Sequence, residues 1–310
     1  LLNPDLDGVL VPDPVAAGRD DSNRAECWAT NGVTELHVCG LGEQQGARKH
    51  LIAVGDSHNN TLIAAYEQIA KTNHWQIDVA GHRGCYWTSA TQLQATQSLV
   101  SDCEVWKQNL NTYLRQHTEY DAIITTYDYG LSSVVAPNGM TEEQAIVDGL
   151  VRAWRPLAAR GTRIIAINDN PQAGDGHAEC VVKYGLAAEH VCAVPREVAF
   201  SAFNGLRPAV ALTRGARYVD LTTYYCEAVS CPAVIGHVVV YRDRDHLTAT
   251  YVKVNNCATG LRVRIPNLTG VFANLFVWSS FEIRAVTAIP VDVIFDATTT
   301  QGQSCAEWAF

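Results

Sequence analysis

Short apolar runs rich in β-branched residues alternate with segments of helical spacing along the middle of the chain, and this alternation constrains the fold most. The runs have the length and composition of strands buried on both faces. The predicted strands are 51–54, 75–80, 122–125, 163–167, 217–220 and 237–241, and the predicted helices are 61–71, 105–115, 142–159 and 197–214. Thr141 and Gln144 form a capping-box pattern before the third helix, and Gly161 follows its end. The pattern predicts an α/β domain whose parallel sheet carries helices on both faces and ligand sites at the carboxyl ends of its strands.

Composition excludes several classes of protein. With 47% hydrophobic and 18% charged residues, the 310-residue chain has the composition of a folded protein. Its net charge of −9 and lack of a basic run argue against nucleic-acid binding. No apolar stretch approaches the roughly 18 residues that cross a bilayer. Because the chain opens on Leu1, we expect it to be a processed product or a piece of a longer protein.

Ten cysteines are too many for an ordinary reduced cytosolic enzyme of this size. Eight of them fall into local pairs, which predicts four disulfides in an oxidising compartment. The pairs are Cys27 with Cys39, Cys85 with Cys103, Cys180 with Cys192, and Cys226 with Cys231. A zinc site is the alternative, but the sequence has no C-x-x-C knuckle. Cys257 and Cys305 are left as a long-range pair or as free thiols.

A candidate nucleophile follows the first predicted strand. Ser57 lies in Val54-Gly-Asp-Ser-His58, on a turn between a strand and a helix, where backbone N–H groups are available to a developing oxyanion. The alternative is that Ser57 merely caps the helix.

A nucleophilic serine needs a base that is held by a third group. Asp243 and His246 follow the last predicted strand, at a spacing that lets one turn bring the carboxylate to the imidazole. Asp245, adjacent to the histidine, is expected to point away. If strand 237–241 belongs to the parallel sheet, this motif and Ser57 meet at the same edge. The alternative is a solvated charged turn.

These motifs together resemble the SGNH hydrolases, and within them the extracytoplasmic SGNH domains fused to bacterial membrane acyltransferases. The resemblance covers about residues 10–254. It rests on Gly55-Asp56-Ser57-His58, Gly84-Cys85, Asp220-Leu-Thr222 followed by Cys226 and Cys231-Pro232, and Tyr241-Arg-Asp243 with His246-Leu-Thr248. It implies a flavodoxin-like three-layer α/β/α fold with a mainly parallel sheet, and local disulfides in agreement with the cysteine pairs.

The resemblance also implies roles for single residues. Ser57 is similar to the family's nucleophile, His246 to its general base and Asp243 to the acid that orients the base. The backbone amides of Ser57 and Gly84 are the implied oxyanion donors. We expect no metal and no cofactor.

The chain departs from the family in its third block, which normally supplies an oxyanion-binding Asn. Residues 125–130 read Thr-Thr-Tyr-Asp-Tyr-Gly and contain none. Asn168, after the next strand, is a candidate substitute, and an ordinary turn residue is the alternative. We predict a disulfide-tied lead-in over residues 1–49, a catalytic domain over 50–254 and an appended segment over 255–310.

The function that follows is O-acyl transfer through an acyl-enzyme on Ser57, from a donor delivered by a membrane acyltransferase domain or partner to a cell-envelope glycan. A secreted carbohydrate esterase is the first alternative, and a non-catalytic glycan-binding domain is the second. The resemblance implies an extracytoplasmic domain tethered through a membrane domain missing from this chain. A glycan at the sequon that begins with Asn59 would cover Ser57, which favours a bacterial source.

Overall fold

A central sheet of seven strands organises the computed structural model, which describes residues 8–253. The strands are β1 (Trp28–Ala29), β2 (Cys39–Gly42), β3 (His50–Gly55), β4 (Gln76–His82), β5 (Ala122–Thr126), β6 (Arg163–Ile167), β7 (Val194–Pro195), β8 (Ala216–Val219), β9 (Ser230–Cys231), β10 (Val234–Ile235) and β11 (Val238–Val239). The helices are α1 (Ser57–Thr61), α2 (Ile63–Asn73), α3 (Gln97–Gln116), α4 (Glu142–Ala159), α5 (His177–Tyr184), α6 (Ala188–Val191), α7 (Arg196–Ala199), α8 (Leu206–Ala211) and α9 (Thr222–Tyr225).

The sheet has the strand order of a flavodoxin-like fold. Strands β4, β3, β5, β6 and β8 lie side by side and are parallel. Outside β4, the short β1 pairs with it in parallel and β2 pairs with it in antiparallel. From β3 the chain moves outward to β4 on one side and then to β5 on the other, so the switch in direction lies between β3 and β5. Ligands bind at such a switch point, and the predicted mainly parallel α/β fold is confirmed.

Alternate residues of β3 show why helices cover both faces of the sheet. Leu51 and Ala53 pack in a cluster with α2 on one face. Ile52 and Val54 pack with α3, α4 and α8 on the other face. Since both sets are buried, the strand reads as a continuous apolar run, as expected for a parallel sheet covered on both sides.

Helix α4 begins and ends where the sequence predicts. Thr141 caps it through the backbone N–H of Gln144, whose side chain accepts from the Thr141 backbone N–H at 2.9 Å. Gly161 follows the last residues with φ of 103°, a conformation that a residue with a side chain adopts at a cost.

One predicted helix coincides with a single helix, and another is divided into two. Segment 61–71 corresponds to α2 except for Thr61, the last residue of α1, whose carbonyl accepts from the Ser22 hydroxyl at 2.9 Å. Segment 197–214 corresponds to α7 and α8. The Asn204 side chain starts α8 by accepting from the backbone N–H groups of Leu206 and Arg207. Side-chain caps of this kind compete with continuation of a helix.

The prediction that residues 237–241 form a strand of the parallel sheet is wrong. Only Val238–Val239 are extended as β11, and they pair in antiparallel with β10 outside the main sheet. Gly236 and His237 both have positive φ, 57° and 66°, which makes a tight two-residue hairpin turn between β10 and β11. Asp243 and His246 therefore reach the site by another route.

The four predicted local disulfides are confirmed. Cys27–Cys39 ties β1 to β2, so the predicted lead-in supplies two edge strands to the sheet. Cys257, Cys305 and the predicted segment 255–310 lie outside the described residues. The division of the chain into a lead-in, a catalytic domain and an appended segment stays a prediction. Between residues 8 and 253, no helix is long and apolar enough to cross a membrane.

A disulfide that encloses a longer segment should stabilise the fold more, although the gain grows only with the logarithm of the segment length. Cys85–Cys103 spans 18 residues and Cys226–Cys231 spans 5. Loop-closure entropy then predicts that replacing both Cys85 and Cys103 by Ala lowers the free energy of unfolding by about 3 kcal/mol, against about 2 kcal/mol for the shorter pair. Urea unfolding of both double variants measures this order, and a reversed order would contradict it.

Candidate active site

The turn between β3 and α1 fixes Ser57 at the carboxyl edge of the sheet. Asp56 caps α1, because its Oδ1 accepts from the His58 backbone N–H at 3.0 Å. Its Oδ2 accepts from the Asp128 backbone N–H at 2.9 Å, which joins this turn to the loop after β5. A Cβ at Gly55 would collide with the carbonyl oxygen of Thr126, so a glycine is required before the turn. Ser57 is the first residue of α1.

Asp243 holds His246 as the spacing predicts. Nδ1 of His246 lies 2.9 Å from both carboxylate oxygens of Asp243. Oδ1 of Asp243 also accepts from the backbone N–H groups of Asp245 and His246. Burial raises the pKa of Asp243, but the hydrogen bond and charge of His246 outweigh burial and hold that pKa well below its usual range. The carboxylate is therefore ionised and orients the imidazole.

Asp245 also contacts His246, so the expectation that it points away is wrong. Its Oδ1 lies 2.8 Å from Nδ1 of His246. Asp245 is buried, and its backbone carbonyl accepts from the Asn170 side chain at 2.6 Å, which fixes the direction of the residue. Burial lowers the pKa of His246, but hydrogen bonds to Asp243 and Asp245 outweigh burial and raise the pKa above its ordinary value.

The loop that follows β6 brings His246 to the edge of the sheet. Besides the Asn170 contact, the Arg244 carbonyl accepts from the backbone N–H groups of Ala173 and Gly174 at 2.7 and 3.0 Å. The His246 ring then lies with its centre 5.0 Å from the ring of His58, the residue after Ser57. Within residues 8–253, the buried Nε2 of His246 has no hydrogen-bond partner. The structure thus brings His246 and the Ser57 turn together.

A second buried cluster lies behind Ser57, and the sequence reasoning missed it. Nδ1 of His58 lies 2.6 Å from Oδ1 of Asp169, and its Nε2 lies 3.7 Å from Oδ2 of Asp128. Burial lowers the pKa of His58, but Asp169 foremost, with Asp128 and Asp56, raises it to about 10. Burial raises the pKa of Asp56 to about 7 against the opposing effect of His58. The sequence signal was available, since Asp128 and Asp169 each follow a parallel strand within two residues.

Gly84 and Asn168, the other two predicted oxyanion donors, lie at the same edge of the sheet. Gly84 follows β4 by two residues with φ of 63°, and its carbonyl accepts from the Gln94 side chain at 2.6 Å. Asn168 follows β6, and its Oδ1 accepts from the Tyr129 and Tyr218 hydroxyls and from the Asn204 amide. Its Nδ2 donates to Thr222 at 2.9 Å, so an oxyanion role would use the second hydrogen of that nitrogen.

Asn168 also lines a groove of about 740 Å³. Three aromatic residues, Tyr129, Phe200 and Tyr218, line it together with amide, hydroxyl and charged side chains. The charged residues are Arg196, Glu197, Arg207 and Asp220. The groove starts next to the His58 cluster, since Asn168 directly precedes Asp169.

Two groups of side chains in the described range have ligand atoms within 4.8 Å of one another, as a metal site needs. They are His58 with Asp128 and Asp169, and His58 with Asp245 and His246. In both groups, Nδ1 of a histidine is already in contact with a carboxylate, at 2.6 Å in His58 and 2.9 Å in His246. Since the carboxylates that contact these nitrogens account for their position without a cation, we assign neither group as a metal site.

Asp56→Asn should test whether Asp56 joins the two loops. The Asn oxygen can keep the cap on His58, but its NH₂ group would face the Asp128 backbone N–H and leave that buried donor unpaired. We expect the free energy of unfolding, measured by urea titration, to fall by about 1–3 kcal/mol. Asp220→Asn is the matched control, because Asp220 accepts from the Thr222 backbone N–H in the same way on a more exposed turn. An equal loss in the two variants would contradict the role of Asp56.

Similarity to known proteins is found in one family and among solved structures. No curated protein matches the chain. The periplasmic domain of a lipopolysaccharide acetyltransferase from Salmonella ser. Paratyphi A is 12% identical with a TM-score of 0.49, over 74% of this chain and 87% of that one. A carbohydrate acetylesterase family member from Sinorhizobium meliloti is 13% identical with a TM-score of 0.39, over 66% and 92%. Residues 22–254 match the family described as SGNH domain (fused to AT3 domains). The chain belongs to this family of SGNH domains.

Proposed function

We propose that the chain is a serine-dependent O-acyltransferase that carries an acetyl group on Ser57 and delivers it to a hydroxyl of a cell-envelope glycan. One observation carries the proposal. His246, oriented by Asp243, has a buried Nε2 without a partner in the described part of the chain and lies against the turn that presents Ser57. A nucleophile beside an oriented base is the arrangement that acyl transfer needs.

In the first half-reaction, the Ser57 hydroxyl attacks the acyl carbonyl and gives its proton to Nε2 of His246. Asp243 stabilises the imidazolium that forms. Backbone N–H groups of Ser57 and Gly84 hold the oxyanion, the leaving group departs with the proton from His246, and an acetyl ester remains on Ser57. In the second half-reaction, a glycan hydroxyl gives its proton to His246 and attacks this ester. His246 returns the proton to the oxygen of Ser57 as the C–O bond to the serine breaks, which frees Ser57 and the acetylated glycan.

The family indicates where the donor comes from. Its SGNH domains are fused to AT3 domains, so we propose that a membrane acyltransferase domain or partner delivers the acyl group. Four disulfides support an oxidising compartment, because such bonds are rare in reducing cytosol. We therefore propose a domain that works outside the cytoplasm and is tethered to the membrane through its donor.

The groove beside Asn168 is the proposed site of the acceptor. Sugars present apolar C–H faces that pack on aromatic rings and hydroxyls that bond to amides and charged groups. Phe200 and Tyr218 supply rings, while Asn204 and Glu197 supply polar groups. The groove adjoins the loop that carries Asp169, so an acceptor bound there has a short path to the ester on Ser57.

The catalytic residues are tested by hydrolysis of a chromogenic acetyl ester. Ser57→Ala should reduce turnover to background, a loss of about 10⁴-fold or more, and Asp243→Asn should cost about 10²–10⁴-fold because the imidazole loses its orientation. Asp175→Asn is the control, since its carboxylate is exposed on the loop after β6 and lies 3.5 Å from Arg244. Equal background rates in the wild-type and Ser57→Ala proteins would favour a glycan-binding domain without catalysis.

The acceptor is tested by adding a glycan to the same assay. Acetyl appearing on the glycan supports the transferase, whereas acetate released only to water supports a carbohydrate esterase. Phe200→Ala should raise KM for the glycan about tenfold, a loss typical of one ring contact, and leave hydrolysis of the small ester unchanged. Leu212→Ala removes an exposed side chain outside the groove and is the control. An unchanged KM in Phe200→Ala would place the acceptor elsewhere.

A further inference from the structure

His58 is the buried titratable group that the mechanism above does not use. It follows Ser57 directly, its side chain is wholly buried, and its ring centre lies 5.0 Å from that of His246. Two histidine–aspartate pairs therefore stand side by side behind the nucleophile, one containing His246 and the other containing His58 and Asp169.

The carboxylates around His246 pose a problem for a base. Asp243 and Asp245 both approach its Nδ1, at 2.9 and 2.8 Å. Two negative charges at this distance favour the protonated imidazole. A protonated His246 cannot accept the proton of Ser57, so positive charge is needed nearby.

Arginines offset part of the charge of both carboxylates. Arg244 Nε lies 3.2 Å from Asp245, and Arg242 Nε lies 4.0 Å from Asp243. His58 is the positive group that lies against the His246 ring itself.

We propose that His58, held as an imidazolium by Asp169, is a positioning residue whose fixed positive charge offsets Asp243 and Asp245 and keeps His246 free to accept a proton. The inference rests on the proposed role of His246 as the general base. His58 does not touch substrate; it acts only through His246.

The contacts of His58 fix both its place and its charge. Asp169 accepts from His58 at 2.6 Å and is itself held by the backbone N–H groups of Asn170 and Tyr129. Asp56 caps the His58 backbone, and the contact of Nδ1 with Asp169 holds the ring beside His246. Burial works against the charge, but Asp169 and the neighbouring carboxylates raise the pKa of His58 to about 10, and the imidazolium persists through neutral pH.

The direction of the effect follows from the groups that face the two rings. Burial and the charge of His58 lower the pKa of His246, whereas Asp243 and Asp245 raise it. On the far side, Asp56, Asp128 and Asp169 face His58. Without His58, any negative charge left on those three would also raise the pKa of His246. Removal of His58 therefore shifts the pKa of His246 upward, by roughly one to two units for a unit charge about 5 Å away in a protein interior.

The first experiment is the pH profile of kcat/KM for ester hydrolysis. In His58→Gln, the acidic limb should move to higher pH by roughly one unit or more. His50→Gln is the matched control, because His50 pairs with Asp78 at 2.8 Å but lies at the opposite end of β3. The control should keep the wild-type limb. Loss of rate in His58→Gln without a shift of the limb would indicate a structural role and overturn the proposal.

The second experiment does not depend on activity. NMR titration of the His246 ring in Ser57→Ala, with and without His58→Gln, measures the pKa of His246 directly. An upward shift supports the proposal even if the acyltransferase function fails, and an unchanged pKa overturns it. If His58→Gln does not fold, His58→Asn serves instead, because it removes the same charge and leaves Asp169 in place, and the shift should have the same sign.

Discussion

The carboxylate of Asp56 joins the two parts of the sheet edge on which the whole site depends. One oxygen starts α1 and the other holds the loop after β5, so the strands on either side of the switch point are fixed relative to each other. Gly55 lets the turn approach β5 closely, and Asp128, held by Asp56, faces His58. If this contact were lost, the Ser57 turn and the carboxylates behind it would lose their common support.

The buried charges of the site are a poor source of stability. Desolvation of a buried ion offsets much of its attraction to a partner, and five aspartates share two imidazoles here: Asp56, Asp128, Asp169, Asp243 and Asp245 with His58 and His246. These charges matter because they are held in a fixed orientation relative to His246. Charges fixed by backbone N–H groups act on His246 without reorganising during the reaction, which is the condition under which electrostatic preorganisation is effective.

The sequence predicted correctly those features that depend on residues close together in the chain. The buried strands β3, β5 and β6, helix α4 with its cap, and the four disulfides follow from composition and short spacing. The break in segment 197–214 depends on a single side chain, that of Asn204, which starts α8. The prediction of a parallel strand over residues 237–241 was wrong because Gly236 and His237 turn the chain, although the composition of the segment is that of a buried strand. The contact of Asp245 with His246 depends on Asn170, 75 residues away, and no spacing rule predicts it.

Three consecutive residues after β6 connect the parts of the site. Asn168 lines the groove, Asp169 holds His58, and Asn170 holds the backbone of the loop that carries His246. Their side chains point in different directions because the chain leaves the strand here and no longer alternates between two faces. The loop that carries Asp243 and His246 follows a hairpin outside the main sheet, so the segment after β6 connects this loop to the sheet. A shift of the segment would therefore move the proposed acceptor groove, the charge on His58 and the proposed base together.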